Sequence, residues 1–420
     1  MATENLRTGS TVDLEIGPVA HGGHCVARLD GRVVFVRHTL PGERVRARLT
    51  DAGTDATFWR ADAVEVLDAS PDRVESPWPE AGPGGAGGGE LAHVALPAQR
   101  AWKRSVLAEQ LRRLARLDLE PEVEAAPGDD ERGGLAWRTR IDLHVDAEGR
   151  AGMRGHRSHD VVPLTGMPLA TEHVAALGLF ERRWPAGSRL EAVAPADGSP
   201  PLVLLDGAPF DLHSNRRDLR PNARAAVREQ VEVGGTSYTY RVAAAGFWQV
   251  HREAPALLAG RVLEAVGDVA GATVLDLYSG AGLFASPLAD AVGADGRLVS
   301  VEGDERAVRD ARRNAHDRPQ VELHAGDVLD ALRGRRGDAP VLDAADVVVL
   351  DPPRTGAGRK VVDALAALRP RRIVYVACDP AALARDVALL GERGWSDVTI
   401  TGHDLFPMTH HLEAVAVLDR

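Results

Sequence analysis

Between residues 11 and 67 apolar and polar side chains alternate in short runs: Thr11–Ile16, Gly31–Val36, Glu43–Leu49 and Phe58–Leu67. Gly22-Gly23, Asp30-Gly31 and Pro41-Gly42 supply turn signals between them. Period-two alternation buries one face of each strand, and several such runs in close succession predict a small β-barrel. From Ser76 to Glu90 the periodicity vanishes and Pro and Gly dominate, which predicts a flexible connection and a domain boundary. Trp102, Val106, Leu107, Leu111, Leu114 and Leu117 then recur at helical spacing and predict a helix over 98–117. Residues 131–245 mix strand and loop signals, with strands expected at Arg138–Val145, Leu202–Leu205 and Thr236–Val242. After Gly246 apolar strands alternate with helical stretches, as in a parallel α/β sheet. Strands are expected there at Thr273–Leu277, Leu298–Glu302, Val321–His324, Asp346–Leu350, Ile373–Val376 and Leu412–Leu418. The organisation expected is a barrel at 1–69, a linker and helix at 70–130, a central α+β domain at 131–245 and an α/β domain at 246–420.

A chain of 420 residues can bury several cores, and 44% hydrophobic with 26% charged residues is ordinary for a globular protein. Apolar runs such as Val347–Leu350 are far too short to span a membrane, and Met1–Gly9 carries no secretory signal, so a cytoplasmic protein is expected. Cys25 and Cys378 stand far apart, which disfavours a disulfide and a cysteine-built metal site; no metal is expected. The net charge of −11 argues against a nucleic-acid partner only if charge is evenly spread. It is not: residues 28–48 hold six arginines against Asp30 and Glu43, and residues 100–116 hold Arg100, Lys103, Arg104, Arg112, Arg113 and Arg116 against Glu109. Either segment could hold phosphates. Phe35, Phe58 and Trp59 are candidates for stacking on bases, with barrel core as their other role.

The run Thr273-Val-Leu-Asp-Leu-Tyr-Ser-Gly-Ala-Gly-Leu-Phe284 is an apolar strand entering a Gly-x-Gly turn and then a helix. Gly280 and Gly282 allow a ligand close to the backbone at the helix N-terminus. Asp276 sits near the strand's carboxyl end, and Glu302 ends the next strand, where a carboxylate can accept from both ribose hydroxyls. A dinucleotide motif would want a third glycine where Ala285 stands, whereas S-adenosylmethionine needs no pyrophosphate cradle. Asp327 and Asp351 also close strand segments, so four acids line one crevice at the carboxyl edge. Cys378 closes the strand Ile373-Val-Tyr-Val-Ala at that rim, and the helix beginning near Pro380 would favour its thiolate. Glu413 opens the last strand, where an acid costs free energy unless it is used or paired. Cys25 has no such neighbours and reads as structural.

Three segments together, Asp351-Pro-Pro-Arg354, Tyr375-Val-Ala-Cys-Asp-Pro-Ala-Ala-Leu-Ala-Arg-Asp386 and Asp404-Leu-Phe-Pro-Met-Thr-His-His-Leu-Glu413, resemble the RNA 5-methyluridine methyltransferase family. The N-terminal barrel is similar to the OB-like TRAM domain of its ribosomal members, and the resemblance spans nearly the whole chain. It implies a class I, Rossmann-like methyltransferase domain after the barrel and central domain. It also implies Cys378 as nucleophile and Glu413 as general base, with Gln249, Tyr278, Gly280, Glu302, Asp327 and Asp351 lining the S-adenosylmethionine and uracil pockets. Arg354 would hold a phosphate or pair with an acid. Many members carry an iron-sulfur cluster on four cysteines; the matching positions here are Ala86, Gly89, Glu80 and Met167, so no cluster is expected. Leu283 and His251 stand where the family has Asn, and Asp379 and Ala377 replace the usual Asn and Ser. The expectation is C5 methylation of a uridine in ribosomal RNA by a monomer with no membrane partner, the alternatives being transfer RNA or a catalytically inactive RNA-binding protein. A methyltransferase for small molecules or proteins would need neither barrel nor thiol, and a nicotinamide oxidoreductase is disfavoured by Ala285.

Overall fold

The computed structural model describes residues 6–53, 56–156, 158–334 and 344–420. Strands β1 (Thr11–Ala20), β2 (His24–Leu29), β3 (Arg32–Arg37), β4 (Arg44–Asp51) and β5 (Phe58–Asp68) close into a barrel in the order β1-β2-β3-β5-β4. Leu14, Val34, Val36, Val45 and Leu49 fill its interior. Strand β2 was not expected because Cys25 and Ala27 are its fully inward side chains, too few to register as alternation. Trp59 belongs to the core, its indole N–H donating to the Gly53 carbonyl at 2.9 Å, which corrects its candidacy for base stacking. Phe35 and Phe58 stay half-buried and meet edge to face at 5.2 Å between centroids. The barrel's local positive excess is partly cancelled in space: Arg37 pairs with Asp62, Arg44 with Asp68, and Arg46 with Asp13 and Glu65.

The Pro/Gly-rich segment after the barrel is packed rather than a loose tether. Trp78, Ala81 and Ala86 are buried in one core with Met167, and Glu80 Oε1 accepts from the Thr165 backbone N–H (2.9 Å) and hydroxyl (2.6 Å). A Cβ on Gly89 would fall 2.6 Å from Ala81 Cβ, so glycine there serves close packing rather than freedom. Helix α1 (Leu96–Gln110) follows, ending earlier than its periodicity suggests because Leu111–Ala115 widen into a π-type turn closed by Arg116 at φ 57°. Its side chains join two cores, with Trp102 and Val106 in the barrel and Leu107 in the C-terminal domain.

The short strand β6 (Val123–Ala125) precedes a seven-stranded antiparallel sheet built from β7 (Arg140–Val145), β8 (Ala151–Arg154), β9 (Val161–Pro163), β10 (Arg189–Val193), β11 (Leu202–Leu205), β12 (Ala208–Asp211) and β13 (Arg216–Arg217), with helix α2 (Glu172–Ala175) between β9 and β10. A hairpin of β14 (Ala226–Val233) and β15 (Thr236–Ala243) leads to helix α3 (Ala254–Val266).

The C-terminal region runs β16 (Thr273–Leu277), α4 (Ala285–Val292), β17 (Arg297–Glu302), α5 (Glu305–Asn314), β18 (Val321–Ala325), α6 (Val328–Leu332), β19 (Val347–Leu350), α7 (Gly358–Leu368), β20 (Arg372–Ala377), α8 (Pro380–Gly391), β21 (Asp397–Asp404) and β22 (Glu413–Asp419). These strands pair in the order β18-β17-β16-β19-β20-β22-β21-β6. The first five are parallel, and β22 runs antiparallel to both neighbours. Val347–Leu350 are buried on both faces, which explains the unbroken apolar reading of that strand. Strands β21 and β6 escape the pattern, the first because it interleaves Asp, Thr, Gly and His, the second because it has three residues. The chain steps outward from β16 to β18 and then returns to β19 on the other side of β16. Such a reversal opens a crevice at the carboxyl ends of β16 and β19. No helix among the described residues is long and apolar enough to cross a membrane.

Candidate active site

Sheet order and register determine what meets at that crevice. After β16 the chain makes the tight turn Tyr278–Gly282, with Tyr278 at φ 64°, Gly280 at φ 56° and Gly282 at φ 87°. Positive φ is strained for tyrosine and costs glycine nothing, so the turn is held by contacts: the Tyr278 N–H donates to Val301 O at 2.9 Å, and the Gly280 N–H to Glu302 Oε2 at 2.8 Å. Glu302 Oε1 also accepts from the Asp304 N–H at 2.6 Å, so this carboxylate shapes the glycine turn while ending β17. Asp327 is exposed and caps α6 through the Asp330 N–H, 3.1 Å away. Asp351 follows β19, its N–H donating to Leu277 O at 3.2 Å. Gln249 comes from outside the sheet, in a segment held to the central domain by the Thr139 N–H on Val250 O at 2.8 Å. It is buried, and among the described residues no hydrogen bond links it to the strand ends.

Strand β22 is antiparallel, so its first residue lies at the same edge as the last residues of the parallel strands. The pairing Ala377↔Ala414 makes Cys378 and Glu413 next in register across β20 and β22. Glu413 is buried and Cys378 half-buried. The site therefore sets Glu413 and Asp351 beside the thiol, with Asp276 and Glu302 grouped about Asp351, and Arg354 is the basic group acting on both Cys378 and Glu413.

Electrostatics follow from this crowding. Burial, then the charge of Asp351 and to a smaller extent that of Glu302, push Asp276 up to about 7 against the hydrogen bond from Ser300. Loss of hydration and Glu302 push Asp351 up to about 7. Glu413 stands well above the ordinary carboxylate range because of burial and Asp351, opposed by Arg354. Burial first, then Glu413 and Asp351, push the Cys378 thiol up to about 11. The helix-end effect expected to favour thiolate is outweighed. Asp379 already caps α8, its Oδ1 accepting from the Ala382 N–H at 2.8 Å, so an anion meets that positive end before the sulfur can.

A crevice with excess negative charge suits a cationic ligand. Asp276 Oδ1 and Ser279 Oγ are buried there with no hydrogen-bond partner among the described residues, as expected of groups that bind an ammonium or hydroxyl donor. The residues thus fit S-adenosylmethionine, whose ammonium and sulfonium are positive and whose ribose offers two hydroxyls. Among the described residues no cluster of three or more His, Cys, Asp or Glu is placed to hold a metal ion.

Replacing Glu413 by Gln removes a negative neighbour, so the Cys378 thiol should ionise more readily once Glu413 itself would be charged. Iodoacetamide alkylation of Cys378 in E413Q, followed by mass spectrometry, should run roughly threefold to tenfold faster than in the parent protein at about pH 9, with the difference shrinking as pH falls. Cys25 serves as internal control: it is fully buried, and burial pushes its thiol up to about 12.

Several side chains support the site in roles that the sequence pattern did not announce. Asp386 on α8 accepts from Tyr375 Oη (2.7 Å) and from the Ala357 and Gly358 N–H groups (2.7 and 3.1 Å), which fastens the turn beyond Arg354. Lys103, read from sequence as part of a phosphate-binding run, is fully buried instead. Its Nζ donates to Asp404 Oδ1 at 2.5 Å and to Phe406 O at 2.9 Å, tying α1 to the loop that leads to Glu413. Gln99 holds the same loop, Oε1 accepting from the Met408 N–H at 2.7 Å. Lys103→Met would leave Asp404 charged and buried alone, and should cost about 3–5 kcal/mol in denaturant unfolding, with Lys103→Met/Asp404→Leu recovering much of it.

The switch-point crevice, glycine turn and acidic strand ends define an S-adenosylmethionine-dependent methyltransferase domain. A family model described as tRNA (uracil-5-)-methyltransferase matches residues 222–420, and a TRAM domain model matches residues 6–63. An uncharacterized RNA methyltransferase of Streptomyces coelicolor is 46% identical, the match covering 98% of this chain and 93% of that one. One of Bifidobacterium longum is 41% identical over 99% of this chain and 98% of its own. The crystal structure of Pyrococcus abyssi tRNA (uracil-54, C5)-methyltransferase in complex with S-adenosyl-L-homocysteine shares the fold at a TM-score of 0.69 and 21% identity, covering 97% of this chain and all of that one. The chain belongs to the RNA methyltransferase family, of the uracil-5 type.

Proposed function

We propose that the protein transfers a methyl group from S-adenosylmethionine to C5 of a uridine in RNA through a covalent adduct on Cys378, with Glu413 as the base. The observation that carries this reading is the β20–β22 register, which puts a half-buried thiol next to a buried carboxyl at the mouth of the switch-point crevice. Uracil C5 is too weak a nucleophile to attack a sulfonium unaided. Addition of the Cys378 thiolate at C6 turns C5 into an enolate-like carbanion. Bound S-adenosylmethionine would supply the electrophilic methyl group, its sulfonium sulfur keeping the electron pair of the broken C–S bond and leaving as a neutral thioether. C5 afterwards carries one proton too many, and the Glu413 carboxylate removes it so that the C5–C6 double bond re-forms and the thiolate leaves. The raised affinity of Glu413 for protons suits it to that abstraction once ionised. Cofactor contacts are assigned to Gln249, Tyr278, Gly280, Glu302, Asp327 and Asp351.

Ribosomal RNA is the favoured target because a barrel of this kind precedes the catalytic region. A second reading, transfer RNA, is favoured by the matching family, tRNA (uracil-5-)-methyltransferase. The protein is taken to act as a cytoplasmic monomer. 5-Fluorouridine-substituted RNA tests the chemistry: fluorine cannot leave as a proton does, so a protein–RNA adduct stable to denaturation is expected. Absence of that adduct in a preparation that methylates RNA would sink the covalent reading. Mapping 5-methyluridine in total RNA from cells lacking the protein distinguishes the targets, and loss at no position would favour an inactive RNA-binding role.

A further inference from the structure

The two loops that present Cys378 and Glu413 are both touched by the barrel. The turn between β1 and β2 places His21 Nε2 at 3.3 Å from Asp379 Oδ2. Two residues on, Gly23 at φ 78° lies so close to the other loop that a Cβ there would sit 3.1 Å from His410 Cβ. Asp379 directly follows Cys378, and His410 lies three residues before Glu413. Asp379 Oδ1 is committed to capping α8, and Oδ2 faces the imidazole. A carboxylate held by one oxygen can swivel about its last torsion; one held by both cannot, and the backbone entering it is fixed as well.

We propose that the β1–β2 turn of the barrel completes the catalytic apparatus: His21 is a positioning residue that acts through Asp379 on the nucleophile loop, and Gly23 seats the same turn against the loop carrying the base. The inference rests on the reading of Cys378 as nucleophile. It makes the RNA-binding barrel a direct support for the reacting thiol. Burial raises Asp379, but the bonds from His21 and the Ala382 N–H outweigh it, and the carboxyl stands below its ordinary range, as an anion with two donors should. The His21 and Asp379 side chains are 41% and 24% exposed, so the pair contributes little to stability and its loss should be read in rate.

The test measures single-turnover methylation, and adduct formation on 5-fluorouridine RNA, at saturating RNA in the full-length protein. His21→Ala should slow both by roughly tenfold while KM for RNA stays within about twofold. His21→Gln, which keeps an N–H donor, should restore most of the rate. Asp379→Ser keeps an N-cap oxygen but loses the one facing His21; it should slow the reaction similarly, and H21A/D379S should be no slower than either single variant. A raised KM with an unchanged saturated rate would make His21 an RNA contact and overturn the proposal, as would additive losses or no loss. A wild-type adduct with unaffected variants refutes positioning alone, whereas methylation without any wild-type adduct refutes the nucleophile reading as well.

Discussion

Cys378→Ala is expected to lower methyl transfer to unmodified RNA by on the order of 10⁴-fold or more, because no other described group stands ready to raise the electron density at C5. The sulfur is half-buried beside Glu413 and follows the buried strand β20, so Ala leaves the fold and the cofactor crevice in place. S-adenosylmethionine affinity measured by calorimetry should therefore stay within about twofold while product formation disappears. The loss should also remove the adduct with 5-fluorouridine RNA. Retention of a substantial rate would point to direct methylation of a more nucleophilic acceptor, such as a nitrogen or hydroxyl, and would leave the thiol a half-buried structural group. Burial and two carboxylates hold the thiol as high as about 11, so the free enzyme carries little thiolate near neutrality. The rate of adduct formation should accordingly climb with pH across the neutral range, since the thiolate is the reacting form and its fraction rises tenfold per unit below the thiol's own value.

Glu413→Gln should give the second largest effect, of a different kind. Thiolate addition and methyl transfer both precede the step that needs the carboxylate, so the variant should begin the reaction and fail to finish it. A covalent protein–RNA species carrying the transferred methyl group should build up on ordinary uridine-containing RNA, and turnover should fall by roughly 10²–10⁴-fold. Denaturing gels with methyl-labelled cofactor would show label in the protein-sized band rather than in free RNA. Label released into free RNA at the parental rate would assign the base elsewhere.

Much of the candidate site is legible in the sequence because Glu302, Asp351, Glu413 and the thiol each stand at or just beyond the end of an apolar strand. Asp351 after Val347–Leu350 and Cys378 after Arg372–Ala377 are examples, and parallel strands place such ends at a common edge. The adjacency of Cys378 and Glu413 was out of reach, since it depends on β22 running antiparallel beside β20, a pairing that local pattern does not encode. Lys103 shows the converse error. Basic neighbours in the chain suggest a solvated phosphate-binding face, yet the helix turns this one inward to Asp404. The contact of His21 with Asp379 joins positions near opposite ends of the sequence, and nothing in either segment announces it. Gln249 is proposed only through the family resemblance, not through any strand end.

The packed connector between barrel and central sheet has one more implication. Trp78, Ala86 and Met167 fill the place with buried, mainly apolar side chains, and Glu80 with Thr165 closes it through oxygen and amide groups. Nothing in that set depends on a supply of inorganic iron. Order in this connector therefore comes from side-chain packing and hydrogen bonds that the chain supplies by itself.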